Sequence, residues 1–203
     1  MQTQSKFKIC RRLGAGVYEK CQTQKFVVSS ASKTAGKAGG KRPKALSDFG
    51  THLVEKQKVR YSYGIRERQF ARYVKEAVEK KGTSATDTLY MTLENRVDNV
   101  VYRLGLAHTR ALARQMVSHG HFTVNGTRVT IPSYQVKIGD VIAVRDGSRE
   151  RALFTDVAKR LATYATPSWL SFDLDKLAAT IKAKPVNTET FLDLNAVLEF
   201  YSR

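Results

Sequence analysis

Cysteine is nearly absent from this chain: Cys10 and Cys21 are the only two among 203 residues. Two thiols make no disulfide framework, so the fold must rest on packing. Acidic residues are scarce as well. There are 18 Asp and Glu against 35 Lys and Arg, a formal charge of +17. Self-repulsion of that size opposes a compact chain unless a polyanion relieves it, so nucleic acid is the expected partner. No apolar run is long enough to span a bilayer, and no apolar stretch opens the chain. The expectation is a soluble, unexported protein without a membrane partner. Catalytic signatures are missing too: there is no nucleophile elbow and no carboxylate pair in an apolar setting. Gly14-Ala15-Gly16 lacks the strand-loop-helix context of a phosphate loop and reads as a turn. His52, His108, His119 and His121 show no metal-ligand spacing. No enzyme activity, no metal and no cofactor is therefore expected.

What is present centres on residues 94–145. Val97, Val100, Val101 and Leu104 recur at helical spacing and form one apolar stripe. Arg96 and Arg103 lie two turns apart, away from that stripe. A second helix is expected after Thr109, whose hydroxyl suits an N-cap, with His108 the other candidate. It carries Ala111, Leu112, Gln115, Met116 and His119, with Arg110 and Arg114 on one face. Gly120 ends it in a left-handed conformation. Phe122 and Val124 then alternate with polar residues, and Asn125-Gly126 predicts a type I′ hairpin. Val129 and Ile131 make the return strand, limited by Pro132. Gly139-Asp140 turns into a last strand with Val141, Ile142 and Val144. Two helices followed by a small antiparallel sheet, with arginines outward, suit RNA phosphates. Asp98, the one acid in the helical motif, is read as orienting Arg96 or Arg103, or as a local cap.

The flanks are mostly helical. Ser47 and Asp48 cap a segment with Phe49, Leu53 and Val59, closed by Lys56, Lys58 and Arg60. Ile65, Phe70, Val74 and Ala77 form the stripe of the next helix, with Arg66, Arg68 and Arg72 elsewhere. Gly82 stops it, and Asp87 caps a helix running towards Arg96. Tyr61 and Tyr63 suit either a half-buried core with a wet hydroxyl or stacking on bases. After residue 149, Leu153, Val157 and Leu161 share a stripe that Pro167 ends. Trp169, Leu170 and Phe172 read as a short strand with Trp169 as core anchor. Leu194, Val197, Leu198 and Tyr201 fall at helical spacing. Residues 1–45 form a basic arm with Glu19 as its only acid. Its Ser29–Lys44 portion has almost no large apolar residue, so it is expected to order on RNA.

The runs RVDNVVYRLG (96–105), TRALARQMVSHG (109–120), FTVNG (122–126) and SYQVKIGDVI (133–142) resemble the S-four-type RNA-binding domain. With LSDFG (46–50), EKQKVR (55–60) and ERQF (67–70), the chain resembles the bacterial small-subunit ribosomal protein four family over about residues 41–203. The resemblance implies an α+β fold. A basic arm (1–45) precedes a helical domain (46–93), which is completed by a C-terminal helix (190–203). An α/β domain (94–189) holds the RNA-binding module (94–156).

It also implies direct binding of the 5′ domain of small-subunit ribosomal RNA early in assembly. Further implied are a contact with ribosomal protein five that bears on decoding accuracy, and a place near the messenger RNA entry path. Lys41, Arg42 and Lys44 match the basic stretch there. The RNA-binding candidates are these three together with Lys56, Lys58, Arg60, Arg68, Arg72, Arg96, Arg103, Arg110, Arg114, His119, Asn125 and Lys137. Many relatives carry a four-cysteine zinc site in the arm. Cys10 resembles its second ligand and Cys21 a third, while Phe7 stands in the place of the first, so a zinc-free arm is expected. The competing readings are an RNA-modifying enzyme carrying this domain, a stand-alone RNA-binding stress factor and a DNA-binding regulator. A catalytic domain would need further residues, so the first reading is not expected. The long matching flanks count against the second reading, and the strand hairpin against the third.

Overall fold

The structure is a computed structural model that describes residues 5–27, 46–155, 157, 161, 164–187 and 191–202. The chain forms two compact units, Met1–Thr86 with Glu189–Arg203, and Asp87–Thr188. The fold is α+β.

In the first unit, helix α1 (Lys6–Leu13) buries Ile9, Cys10 and Leu13. With Val17 and Cys21 they form a small core, against which Phe26, Val54 and Tyr61 pack. Residues 5–27 of the expected arm are thus folded. The Ser29–Lys44 stretch lies outside the described residues. Ser47 caps α2 (Asp48–Tyr63), its hydroxyl accepting from the Gly50 amide at 3.3 Å. Helix α3 (Glu67–Glu79) follows, and Ile65, Phe70, Val74 and Ala77 are buried as the spacing predicts. Tyr63 is buried and Tyr61 is half-buried, which places both rings in packing rather than on a free surface.

The second unit is built around α4 (Ala85–Glu94), α5 (Val97–Arg103) and α6 (Arg110–Ser118). Helix α4 starts at Ala85, so Asp87 sits in its first turn rather than at its cap. There the carboxylate still faces the positive end of the helix dipole. Val97, Val100, Val101 and Leu104 are fully buried, as the periodicity requires. The buried face of α6 is Ala113, Met116 and Val117. The Thr109 hydroxyl accepts from the Leu112 amide at 3.1 Å.

Five antiparallel strands close this core in the order β2-β1-β3-β5-β4. They are β1 (Phe122–Val124), β2 (Thr127–Val129), β3 (Val141–Val144), β4 (Leu170–Asp173) and β5 (Ala178–Ile181). Asn125 and Gly126 have φ of 49° and 80°, the two left-handed positions a type I′ turn needs. Short helical turns α7 (Asp146–Arg149) and α8 (Ala152–Thr155) lead to Val157 and Leu161, which enter the core with Trp169. Back in the first unit, α9 (Leu194–Ser202) packs along α2. Its Tyr201 hydroxyl donates to Glu67 Oε1 at 2.7 Å.

Candidate nucleic-acid interface

In the second unit two acids, Glu94 and Asp98, are turned inward. Glu94 is fully buried and accepts two bonds from Arg103, Nε to Oε2 at 2.8 Å and Nη2 to Oε1 at 2.9 Å. Asp98 is 5% exposed and takes Arg96 bidentately, at 3.0 and 2.6 Å. Its Oδ2 also lies 3.9 Å from Arg114 Nη1. Asn99 donates to the Glu94 carbonyl at 3.2 Å and accepts from Arg110 Nε at 2.9 Å. The Arg110 guanidinium also lies 4.3 Å above the Tyr102 ring. Two carboxylates and one amide thus position four arginines. Arg103, Arg110 and Arg114 remain partly exposed, with their planar forks held in place.

Arg96 departs from the expectation of a surface contact. It is 0% exposed. It precedes α5 rather than lying on it, with an extended backbone at φ −71° and ψ 134°. The neighbouring Val97 and Val136 amides bond to Tyr134 and Asn95 carbonyls across the 132–136 segment, which closes over it. The Asp98 reading holds for Arg96. Asn125 also has another task. Its amide nitrogen donates to Asp140 at 2.8 Å and its oxygen accepts from the Val141 amide at 2.9 Å, so the side chain locks two turns together. Lys137 and His119 are exposed, as a contact requires. His121 is buried against Ser148 at 3.0 Å, which is turn packing.

In the first unit Lys56 is a second departure. It is 6% exposed and donates to Glu67 Oε1 at 2.7 Å, with its ammonium 4.3 Å from the Phe200 ring centroid. Burial alone would raise the Glu67 pKa, but the bonds from Lys56 and Tyr201 and the charges of Lys56 and Arg60 outweigh it and lower it. Lys58 pairs with Glu55, and Arg60 bonds Gln57 at 2.8 Å with its plane over Tyr61. Arg68 is exposed, and among the described residues no ion pair reaches it. Arg72 is exposed beside Glu76 at 3.4 Å. Lys41, Arg42 and Lys44 lie outside the described residues.

Three further arginines of the second unit stand outside the sequence-based candidates: Arg128, Arg145 and Arg151. Arg128 stands two residues past the Asn-Gly turn, on the exposed return strand. Arg145 and Arg151 bound the arginine-rich run RDGSRER, which was the available signal. Buried Cys10 and Cys21 face each other, and burial first, then the bond to Cys10, pushes the Cys21 thiol up to about 12. A metal needs thiolates, which this setting opposes. Among the described residues no group of three or more His, Cys, Asp or Glu is placed to hold a metal. No described helix is long and apolar enough to cross a membrane.

A helix pair with oriented arginines, followed by a hairpin, defines an RNA-binding module of the S4-domain class, and the family model described as the S4 domain matches residues 95–142. A second family model, the ribosomal protein S4/S9 N-terminal domain, matches residues 1–94. The chain is 43% identical over 201 residues to the small ribosomal subunit protein uS4 of Acetivibrio thermocellus, covering 97% of this chain and 96% of that one. The uS4 protein of Pelotomaculum thermopropionicum is 43% identical over 206 residues, covering 99% and 98%. The protein uS4A of Symbiobacterium thermophilum is 44% identical over 201 residues, covering 97% and 96%. The chain belongs to the small ribosomal subunit protein uS4 family, a family of structural proteins and not of enzymes.

Proposed function

We propose that this protein is a structural constituent of the small ribosomal subunit in the cytoplasm, binding the 5′ domain of small-subunit ribosomal RNA early in assembly. The observation that carries the reading is the lattice in which Glu94, Asp98 and Asn99 hold Arg103, Arg110 and Arg114 half-exposed. Phosphates met by preoriented guanidinium groups lose little side-chain freedom on binding. Shape and backbone are read rather than base edges, which suits a junction of RNA helices. The test is binding to a 5′-domain transcript against a scrambled RNA of equal length across a salt series. Tight, salt-sensitive preference for the 5′ domain is expected. Equal binding to both overturns the junction role.

A contact with ribosomal protein five, and with it a share in decoding accuracy, is assigned to a groove of about 400 Å³ in the first unit. Glu55, Asp193 and Glu199 line it together with Lys58, which pairs with Glu55, and His52 Nε2 lies 3.1 Å from Glu199. With Glu55 answered by Lys58, the carboxylates of Asp193 and Glu199 leave the groove net acidic, which suits lysine or arginine of a protein partner better than RNA. Glu199→Lys should weaken the binding of ribosomal protein five at least tenfold and leave RNA affinity unchanged. Loss of RNA affinity in that variant counts against the assignment. A position beside the messenger RNA entry path rests on the resemblance of Lys41, Arg42 and Lys44 alone.

A further inference from the structure

The turn His119–Gly120–His121 is ringed by positive charge, and among the described residues no carboxylate forms an ion pair with it. The Arg128 guanidinium comes from the edge strand β2, packs over Gly120 and donates to the His119 carbonyl at 3.2 Å. Arg145 follows β3, and its amide donates to the His121 carbonyl at 2.9 Å. Ser148, three residues on, is fully buried and bonds the His121 ring. Arg151, three further on, follows along the same series of turns, where the Ser148 amide bonds to Arg145 O and the Arg151 amide to Ser148 O. The two arginines therefore flank the serine that touches His121 on one side.

The rings of His119 and His121 are 6.1 Å apart. Burial first, then Arg151, His119, Arg145 and Arg128, hold the His121 pKa below its ordinary value. Among the described residues no ion pair reaches Arg128, Arg145 or Arg151. The Arg145 Nε is buried and has no hydrogen-bond partner. A buried guanidinium donor without an acceptor is costly, and three clustered arginines repel one another. An anion with several acceptor oxygens removes both costs at once.

We infer that Arg128, Arg145 and Arg151, with His119, form a phosphate-binding site separate from the Glu94–Asp98 arginine lattice, and that its ligand is a phosphodiester group of the bound RNA. The inference rests on the RNA-binding reading above. Each arginine touches a different oxygen or a neighbouring phosphate, while Ser148 and His121 keep the turn rigid beneath them.

The test uses the full chain and the 5′-domain transcript. Arg145→Gln and Arg151→Gln should each lower the slope of log affinity against log salt by about one unit. Neither should lower the melting temperature, because each removes a like-charge contact. If wild type binds the transcript and both variants keep its slope, the site is overturned while the RNA-binding reading stands. If wild type fails to bind, that reading itself falls.

A second measurement keeps the test valid should Arg145→Gln fold poorly. The His121 ring is titrated by NMR in wild type, alone, with a short RNA duplex and with inorganic phosphate. RNA at the site should move the His121 pKa upward by shielding the arginines. No movement with bound RNA overturns the inference. Saturation by inorganic phosphate without any response to RNA makes it a free-anion site and overturns the phosphodiester assignment.

Discussion

Arg96 and Asp98 hold each other in the interior, and removing either one leaves the other charge buried with its bidentate partner lost. Arg96→Ala or Asp98→Asn should cost about 3–5 kcal/mol in urea unfolding, the range for breaking a buried pair. A loss below about 1 kcal/mol, typical of an exposed pair, would mean that water reaches the site. This burial was not legible in the sequence. The seven-residue spacing of Arg96 and Arg103 implies a shared helical face only if both lie on the helix, and α5 begins at Val97. Asp98 was the usable clue, since a carboxylate two residues away can fold back on an extended Arg96. Lys56 misled in a similar way. A lysine near a helix end reads as exposed, and the Glu67, Phe200 and Tyr201 that enclose it come from distant stretches. Glu67 gives a pH prediction. Its folded pKa lies below the ordinary glutamate value of 4.5. Its contribution to stability is complete above that value and is lost as pH falls through the folded pKa. Glu67→Gln should therefore flatten the fall in melting temperature on acidification below pH 4.5. An unchanged acid slope would remove Glu67 from the account.

Among the elements, the hairpin joining β1 and β2 was read correctly because its chemistry is local. Asn125-Gly126 must adopt positive φ, and nothing crowds the Gly126 position within 4 Å. Gly126→Ala should thus cost only the left-handed strain, about 1 kcal/mol by thermal unfolding. Gly120→Ala should cost more, because its Cβ meets the Arg128 guanidinium as well as strain at φ 73°. Equal costs would mean Arg128 swings away freely. The stripes of α3 and α5 were equally legible, since one apolar face is a period that the order of residues reveals. Strand β5 was not. Ala178, Ala179, Thr180 and Ile181 contain one large apolar residue, and they form a strand because β3 and β4 pair on both sides. Tertiary pairing overrides weak propensity there, which no local pattern signals. The arginine lattice was half visible. The residue types were in view, but the inward turn of Glu94 depends on where α4 ends.

At the scale of the molecule, the +17 charge predicts salt dependence beyond any single contact. RNA affinity should fall by orders of magnitude between 50 and 200 mM salt if six or more phosphates are met. A flat salt profile would assign the charge to something other than RNA. One consequence of the architecture concerns the order of synthesis. Helix α9 completes the packing of α2 and supplies Tyr201 to Glu67. A growing chain makes α2 and α3 first and α9 last, with all of Asp87–Thr188 in between. On the synthesising ribosome the middle of the chain can therefore settle before its beginning does. The early helices wait, with Phe70 and Lys56 uncovered, until the final turns emerge to close them.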